Sequence, residues 1–248
     1  MNLLKTHTIA TAQADTFLVY WTNSLMTPKG VLKVRVTAQI EDRHIAAELA
    51  AMQHLLEEKC VIGRNLVGNA GTKLIVSRGA IRKLHHRQSD KAHLAPYANF
   101  MTTRFAGCQV SVDAGKDWFT GFSPEATDSL LVSGARRETV NVSGLGEVSV
   151  TQHVLDRFVT RFLSEINPDK TAQTAWKKLV ELASDPSVHE VTRNSLWAGI
   201  AHAGKNARYF LNAKRKLILV VTDNPREGKR LVTTYQATRH FHDMPKAA

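Results

Sequence analysis

Two patterns of apolar and polar residues open the chain and predict different elements. Residues 16–21 form a short run of apolar and aromatic side chains, and residues 31–40, after a turn with Pro28 and Gly30, alternate apolar and polar side chains. Because successive side chains of a strand point to opposite faces, these segments predict two strands of a sheet with one solvated face. Residues 44–58 place apolar side chains at helical spacing, which predicts a helix buried along one side.

The residues that follow continue to mix strands and helices. A short apolar run at 73–77 predicts a buried strand, and a basic run at 80–87 predicts a helix. Pro96 begins another helical stretch to about residue 105, and residues 108–113 predict a further strand. A first domain, a mixed sheet with helices, is therefore expected over residues 1–118.

The next segment changes character, because glycine and serine recur throughout residues 119–150. Apolar residues at 130–132 and 139–142 allow two short strands to pair within it. Residues 119–146 therefore predict a structured linker between two domains.

From residue 147 the pattern becomes compact again and predicts an α+β domain over residues 147–248. A strand at 148–150 leads to Thr151, which is placed to cap a helix, and Asn167 and Pro168 end that helix. A second helix is predicted at about 171–183. Strands of an antiparallel sheet are predicted at 188–191, 196–202, 207–211, 216–222 and 230–235.

The charge balance narrows the range of partners. Lys and Arg number 33 against 22 Asp and Glu, for a net charge of +11 and an isoelectric point near 9.8. Such a charge favours nucleic acid as the partner over an anionic membrane. No apolar run approaches the ~20 residues of a membrane span, and the first residues are too polar for a secretory signal, so a cytoplasmic location is expected.

Cysteine and histidine do not predict a metal or cofactor site. Cys60 and Cys108 form neither a disulfide framework nor a zinc motif, and the 11 histidines lack ligand spacing. We therefore expect neither a metal ion nor a cofactor.

The most informative stretch is Thr151–Phe162, in which His153, Arg157 and Arg161 are spaced by four. On a helix this spacing places all three side chains on one face. An imidazole that transfers protons, beside two guanidinium groups that hold a phosphate, has the chemistry to cleave RNA without a metal. The alternative is a basic helix face that only contacts water.

The N-terminal part resembles the ribonuclease H-like fold over roughly residues 14–118. The resemblance rests on Tyr20-Trp-Thr-Asn23-Ser24 as its first strand, on Ala46-Ala-Glu48-Leu as its glutamate-bearing helix, and on Ile75-Val-Ser77 as its next strand. Two-metal catalysis needs several carboxylates, but Asn23 and Ser77 stand where the family has aspartates. The resemblance implies a domain that has lost cleavage and kept a basic surface. Glu48 is expected to be an ordinary exposed helix residue.

The C-terminal part, over about residues 147–238, resembles the barnase/EndoU/colicin/RelE-like superfamily. Thr151-x-His153-x3-Arg157-x3-Arg161 matches its opening helix, and the strands around 217–222 and 231–235 with their turn match its close. Active members of this superfamily are metal-independent ribonucleases, and several are toxins.

Residue chemistry and this resemblance together imply specific roles. The 2′-OH of RNA attacks the adjacent phosphate, and His153 is the candidate base or acid, because an imidazole can both accept and release a proton. Arg157 and Arg161 are expected to clamp the phosphate. Arg208, Thr234 and Tyr235 are expected to form the second wall of the site. Further contacts to nucleic acid are expected from Lys205, Arg82, Lys83, Arg87, Arg136 and Arg137.

Three functions remain open at this point. The first is a metal-independent endoribonuclease that leaves a 2′,3′-cyclic phosphate, with the N-terminal domain positioning RNA, DNA or an RNA–DNA hybrid. The second is a non-catalytic nucleic-acid-binding protein. The third is a toxin-like module held by a protein inhibitor.

Overall fold

The structure is a computed structural model that describes residues 2–23, 28–63, 71–123, 125–126, 128–163, 168–191, 206–225 and 228–236, with side chains from 174 onward in the segment 168–191. The chain forms two compact units, Met1–Arg136 and Arg137–Ala248. Each unit is built around its own six-stranded sheet.

The sheet of the first unit is mixed. Its strands are β1 (Asn2–Ala10), β2 (Thr16–Thr22), β3 (Lys29–Val36), β4 (Thr72–Val76), β5 (Gln109–Val112) and β6 (Asp128–Val132). Their order across the sheet is β5-β4-β1-β2-β3-β6. The first three strands are antiparallel neighbours, whereas β4 runs parallel to β1, β5 to β4 and β6 to β3.

The helices of this unit lie against one face of the sheet. They are α1 (Arg43–Glu57), α2 (Gly79–His85) and α3 (Asn99–Thr102). Leu49 and Met52 of α1 share one apolar core with Leu4, Leu32 and Leu74 of the strands. Burial of these side chains is the main favourable term in forming the unit.

The first strand along the chain is β1, and the sequence pattern did not predict it. The segment 16–21, predicted to be the first strand, is β2. Only Leu4 of the helix-facing positions on β1 is a large apolar residue, because Thr6 and Thr8 occupy the next two positions on that face and are also buried. Buried hydroxyl groups give no apolar alternation, so the pattern did not reveal a central strand.

The segment predicted as a linker, 119–146, is divided between the two units. Residues 128–132 form β6, which pairs with β3 in the first sheet. Residues 138–142 form β7 (Glu138–Val142), which belongs to the second sheet. The two short strands therefore pair with other strands instead of with each other. The local sequence pattern determines that a segment forms a strand, but tertiary contacts determine which strand it pairs with.

The sheet of the second unit is also mixed. After β7 come β8 (Gly146–Val150), β9 (Val188–Val191), β10 (Ala207–Asn212), β11 (Leu217–Asn224) and β12 (Gly228–Gln236), in the order β7-β8-β12-β11-β10-β9. The neighbours are antiparallel except for β8 and β12, which are parallel at Ser149 and Arg230. An entirely antiparallel sheet was predicted, and this parallel pair differs because the hairpin β7–β8 joins the edge of β12.

Two helices cover one face of the second sheet, α4 (Gln152–Phe158) and α5 (Pro168–Ala183). Phe158 and Leu179 share an apolar core with Leu219 and Leu231. The predicted strand at 196–202 lies outside the described residues. The two mixed sheets and their helices confirm the prediction of a two-domain α+β protein.

Within the described ranges, the structure contains no helix with the length and apolar character needed to cross a membrane.

The partly buried His85 at the end of α2 predicts that stability depends on pH. Burial, with a smaller contribution from His86, lowers the pKa of His85 to about 4. The unfolded chain therefore binds an additional proton between about pH 6.5 and pH 4, and the free energy of unfolding falls by up to about 3 kcal/mol as the pH decreases through this window. We expect His85→Gln to flatten the pH profile of urea unfolding.

The neighbouring His86 provides the control, because it is exposed. His86→Gln should keep most of the pH dependence, since burial is the larger cause of the shift. Equal pH profiles for His85→Gln and the unsubstituted protein would contradict this expectation.

Candidate functional site

Helix α4 presents the predicted catalytic histidine on its exposed side. Val154, Leu155 and Phe158 are buried in the second core, which fixes the opposite side of the helix. His153 is exposed and Arg157 is half-buried. Neither side chain forms a hydrogen bond or ion pair within the described part of the chain. Because they are four residues apart on one α-helix, they project from the same face.

Thr151 stands at the N-cap position of α4, as predicted, but its side chain does not act as a cap. Its backbone is extended, and its carbonyl accepts from the N–H groups of Val154 and Leu155. The hydroxyl forms no capping hydrogen bond. The helix start is therefore set by the backbone and by burial of the apolar face.

The helix does not continue as a regular α-helix to Arg161. Residues Val159–Leu163 form a π-helical turn. The wider turn accompanies stacking of Phe158 on Phe162, with ring centroids 5.6 Å apart, and burial of Leu163. A π-helical turn alters the angular spacing between residues, so the spacing of four does not place Arg161 on the same face as His153 and Arg157 by the α-helical rule.

Arg161 instead contacts the last strand of the sheet, where three predicted site residues meet. Its Nη1 donates to the Thr233 hydroxyl at 3.0 Å and to the Thr234 carbonyl at 2.9 Å. Its guanidinium carbon lies 4.5 Å from the centre of the Tyr235 ring. The predicted approach of Arg161 to Thr234 and Tyr235 is therefore present, with Thr233 as an additional partner that the sequence did not indicate.

Thr234 contributes to this contact through its backbone. Its side chain is fully buried, and its hydroxyl has no hydrogen-bond partner among the described residues. A buried hydroxyl cannot line a site open to RNA, so a catalytic role for the Thr234 side chain lacks structural support.

Arg208 is already paired and lies on another strand. Its Nε and Nη2 donate to the two carboxylate oxygens of Glu190, both at 2.7 Å, across β10 and β9. The hydrogen bonds from Arg208 lower the pKa of Glu190 and keep it ionised. Since β11 lies between β10 and β12, the structure does not bring Arg208 to the contact of Arg161 with β12. Lys205 lies outside the described residues.

The predicted basic residues of the first unit differ in their availability. Arg82 and Lys83 are exposed on α2, and Arg87 is exposed just after it. Arg136 forms an ion pair with Glu58. Arg137 is exposed and begins the second unit, so the predicted pair Arg136 and Arg137 is divided between units.

Glu48 is the least expected residue of the first unit. It was predicted to be an exposed helix residue, but it is fully buried. The hydroxyls of Thr6 and Thr8 donate to its two oxygens at 3.0 and 3.1 Å. The Ser77 backbone N–H donates at 2.7 Å and its hydroxyl also donates, while Arg78 donates at 3.3 Å. Five donors thus enclose one carboxylate.

Two opposing effects act on the charge of Glu48. Burial raises the pKa of this carboxyl, whereas the Ser77 hydrogen bonds and the Arg78 guanidinium act in the opposite direction. The sequence contained a signal for this role, because Glu48 stands alone in the apolar run Ala46-Ala-Glu48-Leu-Ala-Ala. A single acid amid alanines and leucine on the buried side of a helix must find donors within the core.

The structure brings together two of the three positions, Asn23, Glu48 and Ser77, that were compared with the ribonuclease H-like fold. The backbone N–H and the hydroxyl of Ser77 both donate to Glu48. Asn23 does not, because it follows β2 and donates to the Val61 carbonyl at 2.6 Å. The polar residues that reach Glu48 from the central strand are Thr6 and Thr8, which carry no charge to hold a metal ion.

Within the parts of the chain that are described, no three His, Cys, Asp or Glu residues are grouped to hold a metal ion. Comparison with known proteins adds no family: no family model, curated protein or solved structure matches the chain. Its function must therefore be inferred from its own residues.

The enclosure of Glu48 predicts a large effect on stability. Glu48→Ala removes the acceptor of five donors and leaves Arg78 beside a cavity. We expect the free energy of unfolding to fall by about 3 kcal/mol or more, because buried donors lose their partner. Urea unfolding measures this change.

Glu41 is a suitable control because it is exposed just before α1. Glu41→Ala should change the free energy of unfolding by less than about 0.5 kcal/mol. A Glu48→Ala variant as stable as Glu41→Ala would show that the enclosure does not stabilise the fold.

Proposed function

We propose that this protein is a metal-independent endoribonuclease whose catalytic residues lie on the second unit. The observation that carries the proposal is the contact of Arg161 with Thr233, Thr234 and Tyr235. It ties the end of the basic helical segment to the last strand. The exposed His153 lies on the same helical segment, eight residues before Arg161.

Arg161 retains donors for a phosphate after making its protein contacts. Both hydrogen bonds use Nη1. Nε and Nη2 donate to no residue of the described chain, so they are available to an anionic ligand. The ring of Tyr235 supports the guanidinium from one side, which reduces the entropy lost when it holds a phosphate. An anchored cation of this kind stabilises the charge that develops on a pentacoordinate phosphorus.

His153 supplies the proton transfer in this proposal. In the attack of the ribose 2′-OH on the adjacent phosphate, one proton leaves the nucleophile and one is delivered to the departing 5′-oxygen. The exposed imidazole of His153 serves as base for the first transfer or as acid for the second. Arg157, on the same face of α4, holds the phosphate beside it. The products are a 2′,3′-cyclic phosphate and a 5′-hydroxyl.

The first unit is proposed to bind nucleic acid without cleaving it. Two features support a ribonuclease H-like fold. Five strands lie in the order β5-β4-β1-β2-β3, in which β1, β2 and β3 are antiparallel neighbours and β4 and β5 are added in parallel. In the chain, α1 lies between β3 and β4. Thr6, Thr8 and Ser77 surround Glu48, so this place lacks the carboxylates that two metal ions need. The net charge of +11 favours binding of a polyanion.

A non-catalytic nucleic-acid-binding protein is the second candidate. The ion pair of Arg208 with Glu190 favours it, because a carboxylate already occupies the guanidinium that was expected to clamp phosphate. The residues beside Glu48 favour it as well, because Thr6, Thr8 and Ser77 are not the carboxylates that two-metal cleavage needs. Under this alternative, both units bind RNA and neither cleaves it.

The decisive measurement is cleavage of end-labelled RNA by the purified protein in EDTA. We expect cleavage with cyclic-phosphate ends, and a rate at least about 100-fold lower for His153→Ala, because a general acid or base contributes about that much or more. RNA affinity should change little in this variant.

His189→Ala is the matched control, since His189 is an exposed histidine of the same unit whose ring lies 3.0 Å from the Ser187 carbonyl. It should cleave at the rate of the unsubstituted protein. Salt-sensitive RNA binding without cleavage, in EDTA or with added Mg²⁺, would replace this proposal with the non-catalytic alternative.

A further inference from the structure

The second face of the first sheet has no α-helix packed on it within the described residues, and only the short 3₁₀ helix Asp117–Phe119 lies on part of it. The three helices of this unit pack on the face that carries Leu4, Leu32 and Leu74. Side chains alternate along a strand, so the intervening positions face the other way. This second face carries the cationic side chains of Lys5, Lys29, Lys33, Arg35 and Lys73. We call it the open sheet face.

Positive charge on the open sheet face exceeds negative charge. Asp113 pairs with Lys5 at 2.6 Å, and Asp15 pairs with Arg35 at 2.8 Å. Lys29, Lys33 and Lys73 have no acidic partner among the described residues. An uncompensated group of lysines on a sheet face is complementary to a polyanion.

A short aromatic segment lies on part of this face. Residues 117–122 include Trp118, Phe119 and Phe122, and the Phe119 ring stacks on Tyr20 of β2 with centroids 4.4 Å apart. Phe119 is buried, which anchors the segment. Trp118 and Phe122 are only half-buried, so part of each ring faces solvent.

The ammonium group of a lysine lies over each of these two rings. The Lys5 ammonium lies 4.9 Å from the centre of the Trp118 ring, and that of Lys29 lies 4.6 Å from the centre of the Phe122 ring. The strand register aligns Lys29, Thr22 and Lys5 across β3, β2 and β1. Two strand spacings separate the lysine backbones by about 10 Å. This face therefore presents two cations about 10 Å apart, each beside an aromatic ring.

Unsatisfied polar atoms lie beneath the same segment. Trp118 Nε1 and His7 Nδ1 are buried and have no hydrogen-bond partner in the described chain. His7 is 5% exposed and its ring lies 5.1 Å from that of Phe119. Buried donors and acceptors without partners are rare in folded proteins, and an ordered water or a bound group commonly satisfies them.

We propose that the open sheet face binds single-stranded RNA, with Lys29 and Lys73 contacting phosphates and with Trp118 and Phe122 stacking on bases. Base stacking on aromatic side chains needs unpaired bases, which favours a single strand over a duplex. The class of ligand rests on the proposed function, whereas the location is independent of the cleavage residues on the second unit.

The test is fluorescence anisotropy of a labelled oligouridylate with the full-length His153→Ala protein in EDTA, so that the RNA stays intact. Adding Lys29→Glu and Lys73→Glu should weaken binding about tenfold or more and reduce the slope of log affinity against log salt by about one. Adding Lys177→Glu and Lys214→Glu, two exposed lysines of the second unit, makes the same charge change and should alter affinity less than about threefold.

Tryptophan fluorescence provides a readout that charge alone would not affect. Binding of the oligouridylate should quench the Trp118 emission, and Trp118→Phe should lose that quenching while it keeps the affinity, because phenylalanine still stacks. This substitution also avoids the cavity that alanine would leave beside Phe119.

Several results would overturn the proposal. The first is an equal loss of RNA affinity in the two doubly substituted proteins, and the second is equal affinity of the protein for a duplex of the same length. The third is that Lys29→Glu with Lys73→Glu abolishes binding to phosphatidylserine vesicles but leaves RNA binding unchanged. If RNA is bound at the open sheet face but never cleaved by the unsubstituted protein, only the proposed catalytic function fails. If RNA is cleaved but Lys29 and Lys73 do not affect binding, only this inference fails.

Discussion

The enclosed carboxylate of Glu48 is the constraint on which the first unit depends. Its oxygens accept hydrogen bonds that join α1 to the central strand through Thr6 and Thr8, and to the end of β4 through Ser77 and Arg78. These three elements form the centre of the unit, and the apolar core packs around them. Desolvation of a carboxylate is costly, and the donors offset that cost only when all three elements are in place. The polar cluster therefore specifies how helix and strands align, while the surrounding leucines supply most of the stabilisation.

A smaller constraint of the same kind organises the second unit. Arg161 leaves the helical segment through the π-helical turn and binds the last strand by a side-chain hydroxyl, a carbonyl and a ring. It orients the segment that carries His153 and Arg157 relative to β12. In both units an ionisable group at the junction of helix and sheet is held by several hydrogen bonds, and in the first unit the Arg78 guanidinium is one of the donors. In the first unit the charge is fully enclosed, which suits a structural role. In the second, the guanidinium is exposed, and its Nε and Nη2 donate to no residue that the structure describes, which suits ligand binding.

Much of the secondary structure could be predicted because it depends on local patterns. The long helix α1 and the strands β10, β11 and β12 follow from the spacing of their apolar residues, and the structure confirms them. β1 could not be predicted, because two of its core-facing positions are threonines whose partner is a glutamate about 40 residues away. The π-helical turn could not be predicted either, since the spacing of His153, Arg157 and Arg161 is equally compatible with a regular helix. Arg208 has the residue type expected for a phosphate clamp, but cross-strand pairing with Glu190 decides its use.

The sequence by itself determined the class of the molecule, which is two α+β units with an excess of positive charge, and it set one histidine and two arginines at spacings of four in a short segment. Periodicity and charge are properties of the chain read locally or summed, so folding does not change them. Tertiary structure decided which polar groups meet. It buried Glu48, paired Arg208, attached Arg161 to β12, and placed lysines and aromatic rings on the face of the first sheet opposite its α-helices. These outcomes depend on the pairing of strands far apart in sequence, and no local pattern contains that information.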